Sequence, residues 1–126
     1  MNLYEAKELA GLSIQPSRPL VKGLLLTGDK VLLVAKPKVG KSILSQQLAH
    51  CLAGHHPFLG LDVPKREPVL YIAGEGDIDE LQSNQKNISL SLPVEENWLF
   101  YWSLPEHPFD TPPGRKSLMD AAELVK

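Results

Sequence analysis

An α/β fold, a parallel sheet layered between helices, is what the sequence predicts, on three observations. Val31-Leu32-Leu33-Val34-Ala35 is a continuous apolar and partly β-branched run, the pattern of a strand buried on both faces. From Lys41 to Ala53 apolar residues recur at helical spacing. Val69-Leu70-Tyr71-Ile72-Ala73 then repeats the buried-strand pattern. Strand, helix, loop and strand in that order make a βαβ unit, and such strands belong to sheets that helices cover.

Each element has its own signal. Tyr4 to Ala10 reads as a short helix, and Ser13 to Pro19, with two prolines, as an irregular entry. Leu24 to Leu26 lead into Thr27-Gly28-Asp29, a turn, before the first buried strand. In the following helix Leu44, Leu48, Ala49 and Leu52 form the apolar stripe, Ile43 and Cys51 widen it, and Gly54 supplies a stop. His55 to Pro68 is a Pro- and Gly-rich loop. Asp77 with Glu80 three residues on resembles a capping box. The helix it opens has only Ile78, Leu81 and Ile88 as apolar positions and is expected to be largely exposed.

Trp98 to Trp102 is a third strand, with Trp98, Phe100 and Trp102 on one face and Leu99 and Tyr101 on the other. Aromatics of this kind can stack on bases, but strands enrich aromatics for core packing, and the packing reading is preferred. Pro105 to Pro113 is a loop. Pro112 or Pro113 opens a final helix whose apolar side is Leu118, Ala121, Ala122 and Val125. The expected division is an N-terminal helix and entry segment, 1–19, and a second, partial domain, 20–126.

The bulk composition sets bounds. At 126 residues, with 43% hydrophobic and 22% charged residues, the chain has the make-up of one globular domain. A net charge of −2 argues against a strongly basic nucleic-acid footprint. Cys51 is the single cysteine, which excludes an internal disulfide and a Cys-rich zinc site and suits a buried thiol. Met1 to Ala10 lacks the features of a signal peptide, and no apolar run approaches the roughly 18 residues that span a bilayer, so a cytoplasmic protein without membrane contact is expected. His50, His55, His56 and His107 lack a convincing metal arrangement with acids or thiols, and Lys65 and Arg66 read as solvated loop residues.

The chemistry concentrates in Ala35-Lys36-Pro37-Lys38-Val39-Gly40-Lys41-Ser42, between an expected strand and an expected helix. That is the spacing and the context of a P-loop. Such a loop turns backbone N–H groups inward around a phosphate, and the helix adds its positive N-terminal end. Pro37, Lys38, Val39, Gly40, Lys41, Ser42 and Ile43 are therefore the candidate nucleotide-binding residues, with ATP and Mg²⁺ as cofactors. Lys41 is placed to reach the β- and γ-phosphates as a compact cation, the Ser42 hydroxyl to coordinate Mg²⁺, and Gly40 to let the backbone approach. The first position of the motif, usually Gly, is Ala35. Glu75, at the end of the second strand in Ala73-Gly74-Glu75-Gly76-Asp77, is the candidate catalytic carboxylate for orienting or deprotonating water. A solvated turn acid is the alternative.

The stretch from Leu24 to about Ile88 resembles the RepA-like branch of the RecA-like AAA-family ATPases. The resemblance rests on Pro-Lys-Val-Gly-Lys-Ser at 37–42, Ala53-Gly54, Pro57-Phe58-Leu59-Gly60, and Val69-Leu70-Tyr71 followed by Glu75. It implies a three-layer RecA-like sheet with flanking helices and a water-activating role for the acid at Glu75. It also implies DNA as a partner of the complete protein, in replication, unwinding or repair, and assembly as a homo-oligomeric, hexameric ring. Where the family often carries Arg after the acid, this chain has Asn84, Gln85 and Lys86.

No strand here ends in the Asp that completes the Mg²⁺ shell in such proteins, so the chain is expected to stop before that strand and to hydrolyse ATP negligibly alone. Two other functions stay open: a noncatalytic nucleotide-binding or interaction fragment, and a small-molecule phosphotransferase. The last needs Arg clamps, and only Arg18, Arg66 and Arg115 are present.

Overall fold

The computed structural model describes residues 3–13, 17–36, 40–74, 77–103, 106 and 109–125. In chain order they form α1 (Ala6–Ala10), β1 (Pro19–Val21), β2 (Leu25–Leu26), α2 (Lys41–Gly54), β3 (Val69–Ala73), α3 (Ile78–Ser89), β4 (Leu99–Ser103) and α4 (Pro112–Val125). No described helix is long and apolar enough to cross a membrane.

α1 is held locally. Glu5 and Glu8 form a reciprocal capping box around its first turn, and none of its residues is buried. The entry segment then becomes regular, which the sequence reading did not anticipate. Pro19 opens β1, where a strand tolerates proline, and β1 pairs antiparallel with β2 across a turn in which Gly23 has φ of 80°. The expected boundary between 19 and 20 thus falls inside β1. Val21, fully buried, joins Cys51, Phe58 and Val63 in an apolar cluster, flanked by Leu25, Leu44, Leu48, Leu52 and Leu92. Lys22 N–H donates to the Asp62 carbonyl at 2.9 Å and Arg18 pairs with Glu67, so the hairpin is tied to the loop before β3.

β3 and β4 form a parallel pair in register from Val69 opposite Leu99 to Ala73 opposite Ser103. α3 is the crossover between them, as parallel neighbours require. Both strands lie within about one residue of where the apolar runs placed them. α3 is largely exposed, with Ile88 its one buried residue. Asp77 occupies its N-cap position, but its side chain makes no cap hydrogen bond, so the expected capping box is absent. α4 begins at Pro112, where the fixed φ of proline suits a first turn.

The first expected strand is not one. Val31 to Val34 pair with no strand among the described residues, and are 69%, 86%, 51% and 78% exposed. The described parallel sheet is the β3–β4 pair, and the fuller three-layer sheet is not seen. The reason is physical. β-branched and apolar residues favour a strand through what they pack against, and a ladder needs a neighbour's N–H and C=O groups, which are tertiary and not local.

Candidate functional site

α2 carries the candidate phosphate-binding turn, and its packing orients that turn. The helix is buried on two sides. Leu44, Leu48 and Leu52 flank the apolar cluster. Gln46, Ala49, His50 and Ala53 are buried as well, and their i, i+3, i+4, i+7 spacing puts them along one line of the helix. The stripe read from the sequence found the first side and, of the second, only Ala49; Gln46 and His50 were passed over because they are polar.

That second side is a directed hydrogen-bond chain. The Leu92 carbonyl can only accept, so His50 Nδ1–H donates to it across 3.1 Å. The neutral ring then offers Nε2 to the Tyr101 hydroxyl at 3.0 Å. Tyr101 oxygen in turn receives Gln46 Nε2–H at 3.4 Å, and Gln46 Oε1 receives Asn84 Nδ2–H at 3.4 Å. Every donor and acceptor along the chain has one consistent role. It joins α2 to β4, to α3 and to the segment after α3. Burial holds the His50 imidazole below its ordinary value, against the Leu92 bond, with His56 adding to the lowering. Burial likewise pushes the Tyr101 phenol up, opposed by the Gln46 bond.

At the N-terminal end of α2, Gly40 has φ of 96° and ψ of 13°, the left-handed conformation that glycine adopts at least cost. No side chain caps this end, and its first turn holds no acid. The first N–H groups of a helix have no partner inside the helix, so this turn presents donors and a positive dipole end with no resident carboxylate to compete. Lys41 Nζ lies 3.4 Å from the Ala35 carbonyl, which draws the two ends of the candidate loop together. The residues other than glycine with positive φ are His55, Leu59 and Asn97 among those described, so Ala35 takes its place without backbone strain.

The predicted site residues divide accordingly. Gly40, Lys41, Ser42 and Ile43 stand together on the first turn of α2, with Ser42 and Ile43 exposed. Pro37, Lys38, Val39 and Glu75 lie outside the described residues, so the loop's middle and the candidate catalytic acid have no structural account. Ser42 offers a hydroxyl suited to Mg²⁺, a hard cation that keeps several waters and needs few protein ligands. Among the described residues no group of three or more His, Cys, Asp or Glu side chains is placed to hold a metal. Two clefts of about 320 Å³ lie elsewhere, one lined by Ile78, Leu81, Gln82, Gln85 and Tyr101, the other by residues that include His56, Arg66 and Glu95. Neither includes Lys41 or Ser42.

One side chain departs from its sequence reading and another keeps to it. Arg66, read as solvated, lies 3.8 Å from the centroid of the Trp98 ring and 3.5 Å from Glu95 Oε2. Trp102 contacts Phe109 with ring centroids 5.5 Å apart, the packing role preferred for this strand's aromatics. The polar members of the α2 chain were not singled out. The available signal was Gln46 and His50 at i, i+4, a polar pair on one helical line with Ala49 and Ala53.

The family model described as an AAA domain matches residues 3–124, which is nearly the whole chain. No curated protein and no solved structure matches it. The chain therefore belongs to the AAA-domain family of P-loop ATPases.

Proposed function

We propose that this AAA-domain chain binds Mg·ATP at the N-terminus of α2, as the nucleotide-binding portion of a RepA/RecA-like ATPase. The observation that carries the reading is Gly40 in the left-handed conformation at the head of an uncapped helix, with the Lys41 ammonium folded back on the Ala35 carbonyl. Amide donors at a helix start, a helix dipole and a lysine ammonium at one point suit a polyphosphate. Lys41 and the backbone from Pro37 to Ile43 would hold the phosphates, and Ser42 would take Mg²⁺. Bound Mg²⁺ supplies neutralisation of charge on the phosphate oxygens. Glu75 is the carboxylate we assign to the attacking water, on its position after β3 and the family resemblance.

Calorimetric titration of ATP with Mg²⁺ tests the site. The wild type is expected to bind, and Lys41→Ala to weaken binding at least about tenfold. Equal affinities for the two proteins would remove the site from this turn. Glu75→Gln in the complete ATPase is expected to retain nucleotide and to lower turnover about a hundredfold, as loss of a general base does. DNA is the partner we propose for the complete protein, in a ring of identical subunits, and stimulation of its turnover by single-stranded DNA is the measurement that decides this.

The exposed Val31 to Val34 run favours a second reading, nucleotide binding without turnover. The P-loop strand of a working site is held by neighbours, and this one has none among the described residues. Turnover by the purified chain separates the two.

A further inference from the structure

Tyr71 lies in the middle of β3, yet its hydroxyl reaches the first turn of α2. It is 2.9 Å from Ser45 Oγ and 3.4 Å from the Ser42 carbonyl oxygen. Ser45 Oγ itself lies 2.9 Å from that same carbonyl. Each hydroxyl has one hydrogen. If Ser45 donates to Ser42, Tyr71 donates to Ser45; if Ser45 donates to Tyr71, Tyr71 donates to Ser42. In both arrangements the chain of hydrogens ends on the Ser42 carbonyl. The Tyr71 ring is also fixed from behind, with its centroid 5.3 Å from that of Tyr101, the phenol held by His50 and Gln46.

This contact fills a gap in how α2 is held. The helix start has no capping side chain, and the half-buried leucines grip it only from Leu44 onward. End turns with few partners fray, and among the described residues another tie on the turn bearing Lys41 and Ser42 is Lys41 Nζ to the Ala35 carbonyl. Tyr71 ties it to the sheet at the residue whose hydroxyl is the candidate Mg²⁺ ligand. In sequence β3 is followed by Gly74 and the candidate acid Glu75.

We propose that Tyr71, acting through Ser45, is a positioning residue for the Mg²⁺ site: it holds the Ser42 backbone so that the Ser42 hydroxyl faces the metal. The proposal rests on the nucleotide-site reading above. It assigns Tyr71 no contact with nucleotide. The loop amides and Lys41, which bind phosphate without metal, do not depend on it, so the effect of losing it falls on the contribution of the metal.

The test is calorimetric titration of the full chain with ATP, in excess Mg²⁺ and again in EDTA, for wild type, Tyr71→Phe, Ser45→Ala and Lys41→Ala. Wild type is expected to bind more tightly with Mg²⁺. Tyr71→Phe is expected to shrink that Mg²⁺ advantage about threefold to tenfold, the range that one hydrogen bond is worth, while affinity in EDTA stays within about twofold. Ser45→Ala, a helix-favouring change that removes the relay from the other side, is expected to do the same, and it decides the matter if Tyr71→Phe does not fold. Lys41→Ala lowers both affinities. An unchanged Mg²⁺ advantage in the variants overturns the proposal and leaves the nucleotide site standing. An equal loss with and without Mg²⁺ also overturns it, since that is what a purely structural tyrosine would give. A wild type that binds no ATP in either buffer overturns the nucleotide site itself, and the proposal with it.

Discussion

His50 Nε2 and the hydroxyl of Tyr101 lie 3.0 Å apart at a point where His50 has no exposed surface. The ring is neutral there, since Nδ1 already donates to the Leu92 carbonyl and Nε2 must accept. A proton added at Nε2 would face Tyr101 with a second donor and leave a charge in a buried place. The folded protein therefore holds this imidazole below its ordinary value, with burial the main cause. Above the ordinary value of about 6.5 both folded and unfolded chains are neutral at this position and the stabilisation is complete. As pH falls through that value the unfolded chain takes up the proton first, so stability declines until the folded value is passed. Denaturant unfolding between pH 8 and pH 5 is expected to show this acid-side loss for wild type and a flatter profile for His50→Gln. A wild-type profile as flat as the variant's would contradict it.

Gly40 and Gly54 bracket α2 and should answer alanine differently. A Cβ at Gly40 meets nothing within 4 Å, but φ there is 96°. Gly40→Ala is expected to cost about 1–2 kcal/mol from backbone strain alone, and Gly40→Asn less, since Asn tolerates this conformation. A Cβ at Gly54 would lie 2.7 Å from both the His56 ring and the Pro93 carbonyl oxygen. Glycine to alanine in a helix ordinarily stabilises by up to about 1 kcal/mol, yet Gly54→Ala is expected to destabilise by about 1–3 kcal/mol, because the Pro93 backbone must move. Thermal melts of the three variants read both effects.

Leu32 is 86% exposed within an apolar run that has no ladder partner among the described residues. Runs of this kind pair with one another between chains. Leu32→Lys is expected to lower the concentration-dependent sedimentation mass of the purified chain and to change its stability by less than about 0.5 kcal/mol. Self-association that persists unchanged in the variant would place the sticky surface elsewhere.

Cys51 is 2% exposed, its thiol donates to the Pro57 carbonyl at 3.4 Å, and burial pushes its pKa up. The thiolate is the reactive form, so both access and ionisation oppose modification. A chromogenic disulfide reagent at pH 8 is expected to react about a hundredfold or more slowly with the native chain than with the chain in denaturant, at a rate that tracks opening of the fold. Fast labelling of native protein would mean that α2 and the loop at Pro57 separate readily.

The sequence by itself determined the local facts. Val69 to Ala73 and the strand after Trp98 were legible as short apolar runs bounded by turns, and α2 was legible from its spacing, although the left-handed residue that ends it is His55 and not the expected Gly54. The P-loop pattern placed Gly40, Lys41, Ser42 and Ile43 on one turn, since four consecutive residues at a helix start cannot be far apart. That Gly40 sits in the left-handed conformation came from the structure; in the sequence it had only the role of letting the backbone approach. Tertiary structure decided everything that depends on a partner distant in sequence. Whether Val31 to Val34 is a strand depends on a neighbour for its ladder, and no local propensity supplies one. The buried line of Gln46 and His50 was not visible in the sequence, because polar side chains ordinarily stay outside and lose hydration on burial. Only the fold brings Tyr101, Asn84 and the Leu92 carbonyl within hydrogen-bonding distance to replace it. The same holds for Tyr71, which reads as one apolar strand position among five and becomes a brace for Ser42 only when β3 is laid beside α2.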